Sequence, residues 1–224
     1  MLRLLGKGKW PGNPKYCAGC FKDLYRNRQG AEVECSLLFA DIRGSTTLAE
    51  SMSPVSFRTV LDRFYETAAS VLIEHDAIVD KFVGDEVIGI FIPALTDGNH
   101  ARQAIDAGFE VLRQTGHAGG APWAPTGVGV NTGIAFVGVV GTADHVEFTA
   151  LGDVVNVTAR LASAAGRGEL LVSDAAVSSA GLLADERHPA MERRTLELRG
   201  KTEPTGVVVL TLDDSPRRRP PEAR

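Results

Sequence analysis

The chain has 224 residues, of which 44% are hydrophobic and 23% charged, with a formal net charge of −4. That length suits one globular domain with modest extensions and a core that needs no covalent staples. The charge offers no general attraction to nucleic acid or an anionic membrane, no apolar run reaches the roughly eighteen residues of a bilayer span, and the opening MLRLLGKGKWPGNPKY lacks the apolar stretch of a secretory signal, so a cytoplasmic protein with no membrane span is expected.

Residues 1–33 read as an accessory N-terminal segment. Trp10-Pro11-Gly12-Asn13-Pro14 is turn-rich, and 21–29 suits a short helix closed by Gly30. Cys17-x-x-Cys20 has the spacing of a zinc knuckle or redox pair. With Cys35 it makes an odd count of three and leaves no disulfide framework, so reduced, inert thiols are the plainer reading. Residues 34–42 (ECSLLFADI) form a buried strand. Ser53-Pro54 gives an N-cap with proline at the first helical position. Phe57, Leu61, Phe64, Ala68, Val71 and Leu72 then recur at helical spacing.

Two strands, 77–82 and 87–92, flank the tight turn Val83-Gly84-Asp85-Glu86. A helix over about 100–114, a Gly/Pro-rich loop over 116–125, two strands at 127–131 and 134–140, and a helix over 153–165 follow. Strands near 170, 196 and 208 complete a domain spanning 34–212. Residues 213–224 form an Arg/Pro-rich tail of disordered composition. Strand, helix, hairpin, helix, strand is the order of an α+β, ferredoxin-like βαββαβ core with extra strands.

The chemistry concentrates at two aspartates. Asp41 ends a strand and is followed by Ile42-Arg43-Gly44-Ser45-Thr46, a glycine-containing turn into a helix start whose free amides suit phosphate oxygens. Asp85 sits at the hairpin tip. The fold order makes the two strands neighbours, so both carboxylates reach one point, and two carboxylates plus phosphate oxygens suit Mg²⁺. Taken singly, Asp41 reads as a helix cap and Asp85 as a turn aspartate. The pair is harder to explain that way.

FADIRGST at 39–46, DKFVGDEV at 80–87 and TALGDVVNVTARL at 149–161 closely resemble the catalytic domain of class III adenylyl and guanylyl cyclases, specifically the bacterial adenylyl subgroup bearing threonine at a base-reading position. The resemblance runs from about residue 34 to 212 and implies the fold of that family with a dimerisation arm. It implies formation of 3′,5′-cyclic AMP and pyrophosphate from ATP, with two Mg²⁺ or Mn²⁺ ions per site. By position, Asp41, Asp85 and the Ile42 carbonyl resemble the metal ligands, and Lys81 and Thr149 the purine readers. Asn156 resembles the ribose-orienting asparagine and Arg160 the arginine on the transferring phosphate. Lys201 resembles the lysine that meets the terminal phosphates, and the Gly44-Ser45-Thr46 turn, by its free amides, is expected to bind substrate beside it. The arm at 142–147 carries Asp144-His145 where some relatives have a basic phosphate contact, so that contact has no assigned residue.

Physical chemistry agrees with these roles. Asn156 and Arg160 stand i, i+4 on one helix face. A guanidinium suits the spread charge of a pentacovalent phosphate, and a lysine donor suits adenine N1. The family's sites form between two head-to-tail subunits, and this chain holds both halves, which implies a homodimer with ATP as substrate and no nucleic-acid partner. A guanylyl or dual-specificity cyclase is the runner-up, admitted by the Thr149 hydroxyl. A catalytically inactive nucleotide-binding module and a metal-dependent nuclease or polymerase-like palm domain are the readings from other classes.

Overall fold

In the computed structural model, residues 9–10, 12–27, 29–142, 145–182, 192–197 and 204–212 are described. The chain enters through a hairpin of β1 (Lys9–Trp10) and β2 (Asn13–Cys17) and a helix α1 (Ala18–Asn27). The strand expected at 34–42 is longer: β3 runs Gly30–Ile42. A short α2 (Ser45–Ser51) leads to α3 (Pro54–Glu74). As expected, the Ser53 side chain caps α3, accepting from the Ser56 amide at 3.1 Å, with Pro54 at the helix start. Next come β4 (Ile78–Val83), β5 (Glu86–Phe91) and α4 (His100–Leu112), which ends in a π-helical turn at Arg113–His117. The rest is β6 (Thr126–Gly141), β7 (Val146–Leu151), α5 (Asp153–Ala164), β8 (Leu170–Ser173), α6 (Asp174–Ser179), β9 (Glu192–Leu196) and β10 (Thr205–Leu210).

Among the described residues the main sheet runs β4-β5-β3-β6-β8-β10-β9, with β7 paired to β6. Its first four strands are in ferredoxin-like order, and β3 lies antiparallel to both β5 and β6. The unbroken apolar run of β3 reflects a sheet covered on both faces. Leu38, Ala40 and Ile42 join Phe64, Ala68, Leu72, Ile105 and Leu112 under α3 and α4. Leu37 and Phe39, pointing the other way, meet Val154, Ala162, Phe148 and Trp10 on the opposite face.

Two strands were expected at 127–131 and 134–140, but there is a single one, β6. Asn131-Thr132-Gly133 looks like punctuation in sequence. In the fold it stays in the ladder, because the long β3 pairs with β6 continuously from Gly30↔Gly138 to Ile42↔Thr126. Helix α5 crosses this strand closely. A Cβ on Gly129 would stand 2.4 Å from the Ala162 amide nitrogen.

The N-terminal hairpin packs on the sheet. Trp10 is buried and meets Phe148 edge-on, ring centroids 5.5 Å apart. The Val79 amide donates to the Gly12 carbonyl at 2.8 Å, and Asn13 donates through its side chain to the Ala77 carbonyl at 2.8 Å. The first bond lies on edge strand β4 and the second just before its start. Cys35 is a free thiol inside the core, where burial, then the neighbouring Glu34, pushes it up to about 11. The side chains of Cys17 and Cys20, the tail, Asp144 and Lys201 lie outside the described residues. Among the described residues no helix is long and apolar enough to cross a membrane.

Candidate active site

Asp41 and Asp85 come together as the hairpin arrangement requires. Asp41 pairs across the β3/β5 ladder with Glu86, and the Ile42 amide donates to the Asp85 carbonyl at 3.3 Å, fastening the strand end to the hairpin turn. Tyr65 of α3 braces that turn from behind. Its hydroxyl donates to the Gly84 carbonyl, and its ring stacks on Phe82 at 4.5 Å.

The surroundings of the two aspartates are rich in negative charge. Burial, then Asp85, raises the Asp41 carboxyl above the usual range, while Arg43 opposes them. Glu86 is pushed up to about 7 by burial and then by Asp41 and Asp85. Crowded carboxylates of this kind are relieved by a divalent cation, so the donor set fits Mg²⁺. Among the described residues no three His, Cys, Asp or Glu side chains converge on one point. The protein would therefore supply Asp41, Asp85 and the Ile42 carbonyl, leaving the other positions to phosphate oxygens and water.

Arg43 was not singled out from sequence. Its guanidinium is ion-paired with Asp41 and donates to the Ser163 carbonyl of α5 at 2.9 Å. Gly44 adopts φ 79°, turning the chain sharply into α2, which has no side-chain cap. The first amides of α2, from Ser45 and Thr46 on, thus have no side-chain cap to accept from them.

A second group forms around Lys81. A β-bulge between Val79 and Phe82 sets two residues, Asp80 and Lys81, opposite the single Ile88. Both side chains reach β7. The Thr149 hydroxyl donates to Asp80 Oδ2 at 2.8 Å, and Lys81 Nζ donates to Glu147 Oε2 at 2.6 Å. Burial lowers the Lys81 pKa, but Glu147 and Asp80 outweigh it and the net shift is upward. Glu147 is held below the usual carboxylate range by hydrogen bonds, first from Lys81 and then from His145. A cleft of about 430 Å³ opens here, lined by Asp80, Lys81, Phe82, Glu147 and Tyr25 among others.

Asn156 and Arg160 lie on α5, one exposed and the other half-buried, clear of the buried stripe Val154, Val157, Thr158 and Leu161. Among the described residues neither side chain makes a hydrogen bond or ion pair. The structure thus gathers Asp41, Ile42, Gly44, Ser45, Thr46 and Asp85 in one place and Lys81 with Thr149 in another. It leaves Asn156 and Arg160 free on a helix.

The family model for the adenylate and guanylate cyclase catalytic domain matches residues 28–211. Adenylate cyclase 1 of Rhizobium meliloti is 32% identical over 143 residues, 61% of this chain and 22% of that protein. The adenylate cyclase of Anabaena cylindrica is 33% identical over 132 residues, 56% of this chain and 26% of that protein. The chain therefore spans about a quarter of the length of these relatives. Among solved structures, the adenylyl cyclase CyaB from P. aeruginosa superposes with a TM-score of 0.70 at 26% identity, covering 85% of this chain and 98% of that one. The guanylyl cyclase Cya2 also gives 0.70, at 27% identity, covering 80% and 92%. With the ferredoxin-like sheet, the carboxylate pair and the Lys81 group all inside the matched span, the chain belongs to the class III adenylate and guanylate cyclase catalytic-domain family.

Proposed function

We propose that the chain is an adenylyl cyclase, converting ATP to 3′,5′-cyclic AMP and pyrophosphate at the interface of a head-to-tail homodimer. In this reaction the ribose 3′-oxygen bonds to the α-phosphorus as the bond to the β-phosphate oxygen breaks, and the hydroxyl proton leaves to solvent. Two Mg²⁺ or Mn²⁺ ions, when bound, would acidify that hydroxyl and neutralise phosphate charge. Asp41, Asp85 and the Ile42 carbonyl would hold them. The Gly44–Thr46 turn and Lys201 would receive the triphosphate, Asn156 would orient the ribose, and Arg160 would spread the charge of the pentacovalent phosphate.

The observation that carries the adenine preference is Lys81, an ammonium at the wall of a cleft and so a donor for adenine N1, where guanine presents a proton of its own. The homodimer is supported by Asn156 and Arg160, which among the described residues have no hydrogen-bond or ion-pair partner and so are available to a site completed by a second copy. Among the described residues, Ile134, Leu151 and Val83 are also half or more exposed (68%, 50% and 52%), apolar surface that a second copy would cover. A guanylyl or dual-specificity reading has one observation in its favour: Glu147, paired with Lys81, is a carboxylate of the kind that accepts from guanine N1–H.

Incubation of the full chain with ATP or GTP and Mg²⁺ or Mn²⁺, followed by product identification, decides between these readings. Cyclic AMP is expected. Cyclic GMP as the main product would move the assignment to the second reading, and nucleotide binding without turnover would make the chain an inactive module. Arg160→Ala should lower turnover by about 10²–10³-fold. Mixing equal amounts of Asp41→Ala and Arg160→Ala chains should restore about a quarter of wild-type activity, since half the dimers then hold one intact site of two. No recovery would rule out the shared site.

A further inference from the structure

We propose that Asp80, through its hydrogen bond with Thr149, sharpens the purine preference that Lys81 gives the site. The inference deepens the adenylyl reading and rests on it. A threonine hydroxyl has one proton and two lone pairs, so unrestrained it either accepts from an adenine 6-amino group or donates to guanine O6. Alone, it discriminates poorly between the bases.

In this fold the hydroxyl is restrained. Its proton points to Asp80 Oδ2 at 2.8 Å. With that proton committed, Thr149 presents only lone pairs to a base, which suits the adenine amino group and repels guanine O6. Asp80 is well placed for this task. Its side chain is only 6% exposed, and the bulge that shifts the register between Val79 and Phe82 turns it toward β7. Lys81 Nζ stands 4.0 Å from the other oxygen, Oδ1, and supplies the positive charge that favours the carboxylate form. Oδ1 itself is buried without a hydrogen-bond partner. A buried carboxylate kept at that cost calls for a reason, and directing the Thr149 proton is one.

The charged and titratable groups facing Asp80 are Lys81 on its own strand and Glu147 on β7. Burial raises the Asp80 pKa, the Thr149 hydrogen bond and then Lys81 lower it, and Glu147 adds to the rise. Asp80 is a positioning residue, and it needs no contact with nucleotide to act in this way.

The test is the ratio of kcat/KM for ATP to that for GTP in the full chain, with thermal unfolding measured alongside. Asp80→Ala removes the acceptor, releases the Thr149 hydroxyl proton toward the base, and should lower the ratio about tenfold, the value of one hydrogen bond. Asp80→Asn, whose amide oxygen still accepts that proton, should lower it less. Thr149→Val should lower it by a factor similar to Asp80→Ala, and Thr149→Ser should preserve it. In a Thr149→Val background, adding Asp80→Ala should change the ratio no further. An unchanged ratio in Asp80→Ala overturns the proposal. So does a further fall in the double variant, which would mean that Asp80 reads the base itself. If Asp80→Ala fails to fold, the Val and Ser variants at Thr149 decide, and a retained ratio with Val overturns the relay. A wild-type preference for GTP would overturn the adenylyl reading, whereas an ATP preference that ignores Asp80 would overturn only this inference.

Discussion

Gly129→Ala probes the seat of α5. The added Cβ would stand 2.4 Å from the Ala162 nitrogen and 2.9 Å from both the Leu161 carbonyl carbon and its Cβ, all atoms on or next to the helix backbone. No flexible side-chain end is available to move aside, so the helix must retreat by about 1 Å to reach ordinary contact. Overpacking of this kind costs about 1–3 kcal/mol, or about 3–10 °C in unfolding midpoint for a chain of this size. The same displacement carries Asn156 and Arg160, and a misplacement of 1 Å in such groups costs about 10²-fold in turnover. Thermal unfolding and cyclic nucleotide formation by the full chain measure both effects. Gly133→Ala is the control. Its Cβ would meet only the Val154 side chain, at 3.3–3.4 Å, so an adjustment of a few tenths of an ångström suffices and the loss should be much smaller. Equal activity in the two variants would refute the argument that this glycine sets the position of α5.

Glu86, held near 7 in the fold against an ordinary 4.5, binds a proton that the unfolded chain releases, so stability falls as pH rises from about 4.5 to 7. Glu86→Gln should therefore stabilise the protein in EDTA at pH 8, by about 1–2 kcal/mol after allowing for solvent screening, and have little effect at pH 4. An equal gain at both pH values would contradict the charge crowding. Arg43→Met should destabilise the protein in EDTA by about 2 kcal/mol, since Asp41 loses its counter-charge, and Mg²⁺ should restore more stability than it adds to wild type. Identical responses to Mg²⁺ in calorimetry would count against that pairing. Tyr65→Phe removes the donor to the Gly84 carbonyl and should cost about 1 kcal/mol, with a few-fold weaker Mn²⁺ affinity by titration; unchanged affinity would show that Tyr65 does not brace the Asp85 turn.

The carboxylate pair was legible in sequence because its determinants are local. An apolar strand ending in Asp41 and a glycine turn carrying Asp85 need only the βαββαβ order to become neighbours. The i, i+4 spacing of Asn156 and Arg160 was legible for the same reason. Arg43, Asp80 and Glu147 were not, because their partners are remote in the chain: Arg43 meets Ser163, and Asp80 meets Thr149, 69 residues away. Alternation along a regular strand would send Asp80 and Lys81 to opposite faces, and only the bulge turns both toward β7. The same limit explains β6. The ladder with β3 outweighs a local turn signal, and that ladder is not visible within the segment itself.

The cover over the outer edge of β4 bears on how the protein behaves when concentrated. An exposed edge strand offers unpaired amides and carbonyls to any other chain that can add a strand. Here Gly12 accepts the Val79 amide, and the Asn13 side chain engages the Ala77 carbonyl. Apolar Val83 and Phe82 lie at the end of the same strand. A version lacking the first two strands would present that edge bare beside an apolar tip, a starting point for strand-to-strand association. The turn-rich entry of the chain thus occupies the edge where such association would begin, independently of any part it plays in catalysis.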